Sequence, residues 1–223
     1  LADAGSRGIV GRLAAEVRSL GVLVVVSVGA QRHTQAVDSW RQLAQLIRAG
    51  HAESLRLRPL GHPQARQLLA HELGTPPSES QVAVVLERTG GNVALMAALA
   101  RQAVASAEDI ATVSPSEDAL IPLRAQLDEL EPVGRQALEL LAVLGKPTTL
   151  ALLVAFIDQP EGHVLAAVER AERDGLVVAR ELAGETFLWF AQGLLHELLL
   201  QETGGVTRTC WSRRGVEPER DVV

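Results

Sequence analysis

The chain has a single cysteine, Cys210, so it cannot close an internal disulfide. A secreted scaffold held by cystines is thereby excluded. It also has a single lysine, Lys146; nearly all its positive charge is arginine, and many lysine-dependent mechanisms drop out. No apolar run approaches the roughly 20 residues that a membrane helix needs. The longest, Gly21 to Val28, is strand-sized. Leu1 to Ser6 carry neither a basic stretch nor an apolar one, so no signal peptide is expected and the cytoplasm is the expected compartment. Opening on Leu1 rather than Met is what a fragment, a processed product or a truncated gene would show. Clustered basic residues are scarce as well. The net charge of −6 argues against nucleic acid as a partner, because phosphate binding needs concentrated Lys and Arg.

What is present is a length of 223 residues with 47% hydrophobic side chains. That is room for one large domain or two small ones. A chain of this size can bury on the order of 70% of its unfolded surface, and it is too apolar to be disordered throughout.

The first sixty residues predict helix, strand, helix, strand. Ile9, Leu13, Val17 and Leu20 mark one face of a helix over 3–20, which Gly21 stops. Val22 to Val28 is a continuous β-branched run, as in a strand buried on both faces. A second helix is expected over 37–48, and 54–60 alternates with period two as a short strand, with Pro59 at its end. This is half of an α/β sheet, too little to close a core alone and apt to leave an edge and an apolar face bare.

From Gly61 the texture turns wholly helical. One helix opens at His62-Pro63, a second covers about 80–88, and a third runs 93–105 after Thr89-Gly90-Gly91-Asn92. A polar connector follows over 106–116. Further helices are expected over about 120–130, from Pro132, from a cap at Thr148 or Thr149 to about Asp158, and over 161–174. Leu176–Leu182 and Glu185–Phe190 predict a hairpin turning at Ala183-Gly184. A last helix is expected over 192–202. Thr207 to Val223 has no periodicity and is expected to be a disordered tail; a shifted reading frame would have the same texture.

Four stretches in this order carry a family resemblance. They are Leu1-Ala2-Asp3-Ala4-Gly5-Ser6, Leu23 to Arg32, Leu55 to Leu60, and Glu87-Arg88-Thr89-Gly90-Gly91-Asn92; Arg135 to Gly145 with the hairpin and Phe190 extends it. Over about residues 1–203 the chain resembles the C-terminal part of the nucleotide-binding core in STAND-type signal-transduction ATPases. These are relatives of AAA+ and NB-ARC proteins and occur in bacterial LuxR-type and AfsR-type transcriptional regulators. The resemblance implies a mainly α chain: a truncated α/β P-loop NTPase remnant (1–60), a helical lid (61–116), a winged-helix domain (117–203) and the tail (204–223). It implies a switch in which bound ATP or ADP, with Mg, sets the angle between these parts. It places Ser27 or Arg32, at the end of the sensor strand, near the γ-phosphate, and Gly90, Gly91 and Asn92 near the adenine. Val93 stands where the family continues with Pro, a departure from its pattern at the adenine contact. A solvated loop arginine and a plain helix–turn–helix junction are the bland readings of the same residues.

The phosphate loop is missing. The one Gly-Lys pair, Gly145-Lys146, has Leu140 where the motif needs Gly and Pro147 where it needs Ser or Thr. The strand of four apolar residues ending in acids is missing too. No catalytic residue is therefore assigned, no cofactor is expected for this chain alone, and no hydrolysis by it. Its expected partner is the missing N-terminal half of the ATPase domain, or another protein. His71-Glu72 and His196-Glu197 begin like zinc-protease helices, but Thr75 and Leu200 replace the second His, so no metal is expected. The helix over 161–174 carries four acids, Glu161, Glu169, Glu172 and Asp174, against Arg170 and Arg173, which argues against direct DNA reading. The alternatives are a stand-alone winged-helix regulator that binds DNA, and a non-enzymatic protein-interaction module.

Overall fold

A computed structural model describes Ile9, Leu13 and residues 22–27 and 36–204. Contacts divide the chain into two compact units, Leu1–Arg58 and Pro59–Val223. No helix among the described residues is long and apolar enough to cross a membrane.

In the first unit the described helix is α1 (Ala36–Arg48). Ile9 and Leu13 are helical and exposed; the rest of the helix expected over 3–20 lies outside the described residues. The two expected strands are a correction. Residues 22–27 and 54–60 belong to no strand, and Leu23, Val25, Leu55 and Leu57 are each more than 80% exposed. A β-branched run has strand propensity, but a strand exists only when a neighbour takes up its N–H and C=O groups. The described residues before Pro59 supply no such neighbour, so they form no α/β layer.

The second unit is mainly α. Helices α2 (His62–Leu73), α3 (Glu79–Thr89) and α4 (Val93–Ser106) come first. Ser78 starts α3 with a reciprocal capping box: its Oγ accepts from the Gln81 N–H and its own N–H donates to Gln81 Oε1. The connector after α4 is not merely polar. Ile110 and Val113 are buried, and Asp109 ties the segment down, accepting from Gln81 Nε2 at 3.0 Å and from the Ala111 N–H at 2.9 Å. Those two donors hold the Asp109 carboxyl below its ordinary value, the Ala111 amide contributing most. Helix α5 (Glu117–Asp128) begins three residues earlier than its apolar pattern predicts and carries Pro122 within it.

Then follow α6 (Pro132–Leu144), β1 (Thr148–Thr149), α7 (Leu150–Phe156), α8 (Glu161–Arg173), β2 (Val177–Leu182), β3 (Glu185–Phe190) and α9 (Gly193–Glu202). The sheet is antiparallel in the order β1-β3-β2. Of the two candidate caps, Thr149 caps α7 through the Leu152 N–H, while Thr148 pairs with Leu188 across the sheet. The hairpin turns through Ala183 (φ 53°) and Gly184 (φ 82°), the pair of positive φ values that a two-residue I′ turn demands.

Helix α6 is apolar nearly all round, and such a helix must be enclosed. Ala137, Leu140, Val143 and Leu144 face a cluster with Leu153, Ile157, Val164 and Leu188. Leu138, Leu141 and Ala142 face a larger core that runs from Leu69 and Leu99 to Leu127, Leu176 and Leu198. That larger core crosses residue 116, so residues 61–116 and 117–203 share it. In α9, Leu194, Leu195, Leu198 and Leu199 are each 1% exposed or less. Full burial of a leucine is worth roughly 1.5–3 kcal/mol, so α9 is among the strongest fixtures of the unit.

Candidate functional site

The turn Thr89-Gly90-Gly91-Asn92 joins α3 to α4, and backbone approaches it from both sides. Gly90 ends α3 at φ 59°, and a Cβ there would lie 2.5 Å from the Ala191 carbonyl oxygen. Gly91, at φ 75°, would place a Cβ 2.5 Å from the Leu60 carbonyl oxygen, and its own oxygen accepts from the Leu60 N–H at 2.9 Å. Two glycines are required here because each needs the left-handed region and neither has room for a side chain. Asn92 is the N-cap of α4; its Oδ1 accepts from the Ala94 and Leu95 N–H groups at 3.0 and 3.3 Å.

Gly193 meets the same junction from the far side. A Cβ on it would lie 3.1 Å from Arg88 Cα. Arg88, at the end of α3, donates Nε and Nη2 to the two carboxylate oxygens of Glu197 at 2.8 and 2.9 Å. Its Nη1 donates to the Val113 and Ala111 carbonyls at 2.9 and 3.2 Å. One guanidinium thus binds α3, the 109–113 connector and α9. Arg88 lay within the motif noticed in the sequence, but nothing there pointed to Glu197, since the pairing depends on α9 folding back over α3.

Beside Asn92 a groove of about 560 Å³ runs between α4 and α5, with Gln192 at one end. Asn92, Arg101, Gln102, Asp118, Gln126 and Gln192 give it polar walls between Ala94, Ala98, Ala119 and Pro122. Gln192 Oε1 is buried with no hydrogen-bond partner.

Gly90, Gly91 and Asn92 are brought together in the turn. Ser27 is exposed in the first unit, and Arg32 lies outside the described residues, as do Cys210 and the tail expected after Gly204. His196 is used structurally: Nε2 donates to the Ala142 carbonyl at 2.9 Å and the ring stacks on Phe190. Because a carbonyl only accepts, Nε2 carries a proton. Glu72 faces Arg101 at 3.7 Å. Among the described residues no group of three or more His, Cys, Asp or Glu could hold a metal ion. On α8, Arg170 is engaged by Glu131 and Asp174, and Arg173 donates to the Glu169 carbonyl.

No family model and no curated protein matches the chain.

Proposed function

We propose that this chain is the C-terminal portion of a STAND-type switch in a bacterial transcriptional regulator. Residues 1–60 are the end of an α/β nucleotide-binding domain, 61–116 its helical lid and 117–203 a winged helix; the last two relay nucleotide state to the rest of the protein. The observation that carries the reading is the order of elements after the Gly90-Gly91-Asn92 turn. Helices α6, α7 and α8 are followed by the β2–β3 hairpin, with the short β1 strand laid on β3 between the first two helices. Taken as a winged helix behind a lid, this order of elements supports the proposal. The exposed apolar residues at 22–26, 55 and 57 fit strands whose sheet neighbours come from elsewhere.

In this reading the chain does no hydrolysis itself. The phosphate loop, the Mg-binding acids and the nucleotide come with the preceding half of the domain. By the resemblance, Ser27 or Arg32 is the residue proposed for the γ-phosphate. A cytoplasmic location accompanies this role. DNA contact by α8 is disfavoured because its arginines are already engaged by acids and a carbonyl.

The test is to read the codons upstream of Leu1 in frame and to express the longer product. A Gly-rich loop ending in Gly-Lys-Ser/Thr, with binding of a fluorescent ADP or ATP analogue by the longer product, is the expected result. A stop codon or unrelated sequence upstream, or a salt-sensitive gel shift by the chain on genomic DNA, would overturn it.

A further inference from the structure

We propose that the open edge of β2 docks the β2 of a second copy of this chain. The two strands pair antiparallel across a two-fold axis, with Ala179 opposite its own counterpart. The register defines the edge. In the order β1-β3-β2, β2 is bonded to β3 on one side, and among the described residues no strand lies on its other side. The opposite edge, β1, is only two residues long. Continuing the β2–β3 register, the Ala191 N–H donates to the Leu176 carbonyl at 3.0 Å, as in a hydrogen-bonded pair. Bonded and non-bonded pairs alternate along an antiparallel ladder. Val178, Arg180 and Leu182 therefore bond to β3, and Val177, Ala179 and Glu181 turn their N–H and C=O groups to the open edge.

Edge strands are commonly kept from pairing by a bulge, a proline or a charge held over the edge. β2 has none of these. Val177–Leu182 pairs with β3 in unbroken register and contains no proline. Its one cation is drawn the other way: the Arg180 guanidinium lies 5.3 Å from the centre of the Trp189 ring, on the strand already paired. The strand also fits itself. Residues 177, 179 and 181 can exchange bonds only with one another, which leaves few registers. Of the two that overlap five residues of Val177–Leu182, one sets Arg180 against Arg180 of the second copy, a like-charge pair. The other centres on Ala179 and opposes no like charges: Val177 meets Glu181, and Val178 meets Arg180. The remaining registers overlap three residues or fewer. In the Ala179 register Leu182, 67% exposed, gains Val178 of the second copy as a diagonal neighbour on the outer face. Two short strands make an interface below the ~1,200 Å² of stable complexes, so the pairing is weak and concentration-dependent.

Amide exchange of the full chain, read by NMR at about 5 μM and about 500 μM, tests the pairing. The Ala179 and Glu181 amides are expected to exchange at least roughly 3-fold more slowly at the higher concentration. Ala179→Pro removes an N–H that faces the open edge, so it spares the ladder to β3 and should abolish the concentration effect. Val178 is half-buried on the outer face, and changing it tests the register without a proline. Val178→Glu sets a carboxylate opposite Arg180 of the second copy and should enlarge the effect; Val178→Arg sets like charges opposite and should reduce it. Equal effects of these two variants would overturn the proposed register. Exchange that does not depend on concentration would overturn the pairing itself. Fast edge amides would then mean a free edge, and slow ones an edge covered by another part of the same chain. A concentration effect that survives Ala179→Pro would also overturn it, because association would then run through another surface, such as the exposed apolar residues at 22–26.

Discussion

Arg88 and Glu197 stand 109 residues apart in the chain and meet through two parallel hydrogen bonds of 2.8 and 2.9 Å. The guanidinium side of the pair is mostly covered, while the carboxylate is 40% exposed. The pair closes α9 onto α3, and its geometry is of the bidentate kind that tolerates no lysine in place of arginine.

Removing the acid therefore costs more than an ordinary surface charge pair. Glu197→Ala leaves a covered guanidinium short of two acceptors and is expected to destabilise the chain by about 1–3 kcal/mol. Arg88→Lys keeps the charge but loses the fork, and should also destabilise. Urea denaturation measures both. A double-mutant cycle with Arg88→Ala and Glu197→Ala should give a coupling of about 1 kcal/mol or more; additive effects would show that the pair is idle.

The junction glycines separate backbone strain from collision. Gly74 ends α2 at φ 71° with open space around it, so Gly74→Ala meets only the left-handed strain, about 1 kcal/mol. Gly90→Ala and Gly91→Ala meet the same strain and also a carbonyl oxygen 2.5 Å away. Both should fall well below Gly74→Ala in thermal midpoint. Equal midpoints for the three variants would mean that the approach of Leu60 and Ala191 to the turn is slack.

Two substitutions are expected to stabilise. Ala183 holds φ 53° in the hairpin turn, where Asn is better suited; Ala183→Asn should raise stability by about 0.5–1 kcal/mol. Gly134 lies in the first turn of α6 and a Cβ there would make ordinary contacts, 3.7 Å to Leu130 and 3.8 Å to Ala167. Gly134→Ala should add a similar amount, since glycine within a helix is less favourable than alanine by about 0.5–1 kcal/mol. Calorimetric melting of each variant decides the sign.

Asp109 makes the connector sensitive to acid. Its carboxyl is held below the ordinary value of 3.8 by the Ala111 amide and Gln81. A depressed folded value means that its contribution is complete above the unfolded value and is lost as pH falls through the folded one. Asp109→Asn should thus be less stable than wild type at neutral pH, with the gap closing below pH 3.8. A gap that persists unchanged into acid would assign the effect to something other than the charge.

Several helices of the second unit were legible because they carry their own punctuation. Gly90 ends α3, Asn92 starts α4 and Gly145 ends α6; the capping box of Ser78 and Gln81 was not read from the sequence, which put the start of α3 at about 80 where the structure has Glu79. The hairpin was legible from Ala183-Gly184 between two apolar runs. The strands at 22–28 and 54–60 were expected from a β-branched run and from period-two alternation, and are not formed among the described residues, because pairing is a property of two segments and not of one. The polar connector likewise concealed Ile110 and Val113, which are buried as members of the larger core.

By itself, then, the sequence determined the local elements of the second unit, their caps and turns, and the absence of a phosphate loop. All of these depend on residues within a few positions of one another. Only the tertiary structure decided that 61–116 and 117–203 share one core, that Gly90 and Gly91 are required by Ala191 and Leu60, and that Arg88 finds Glu197. Each of those joins segments far apart in the chain. Their energy comes from burial and close approach, which no local pattern records.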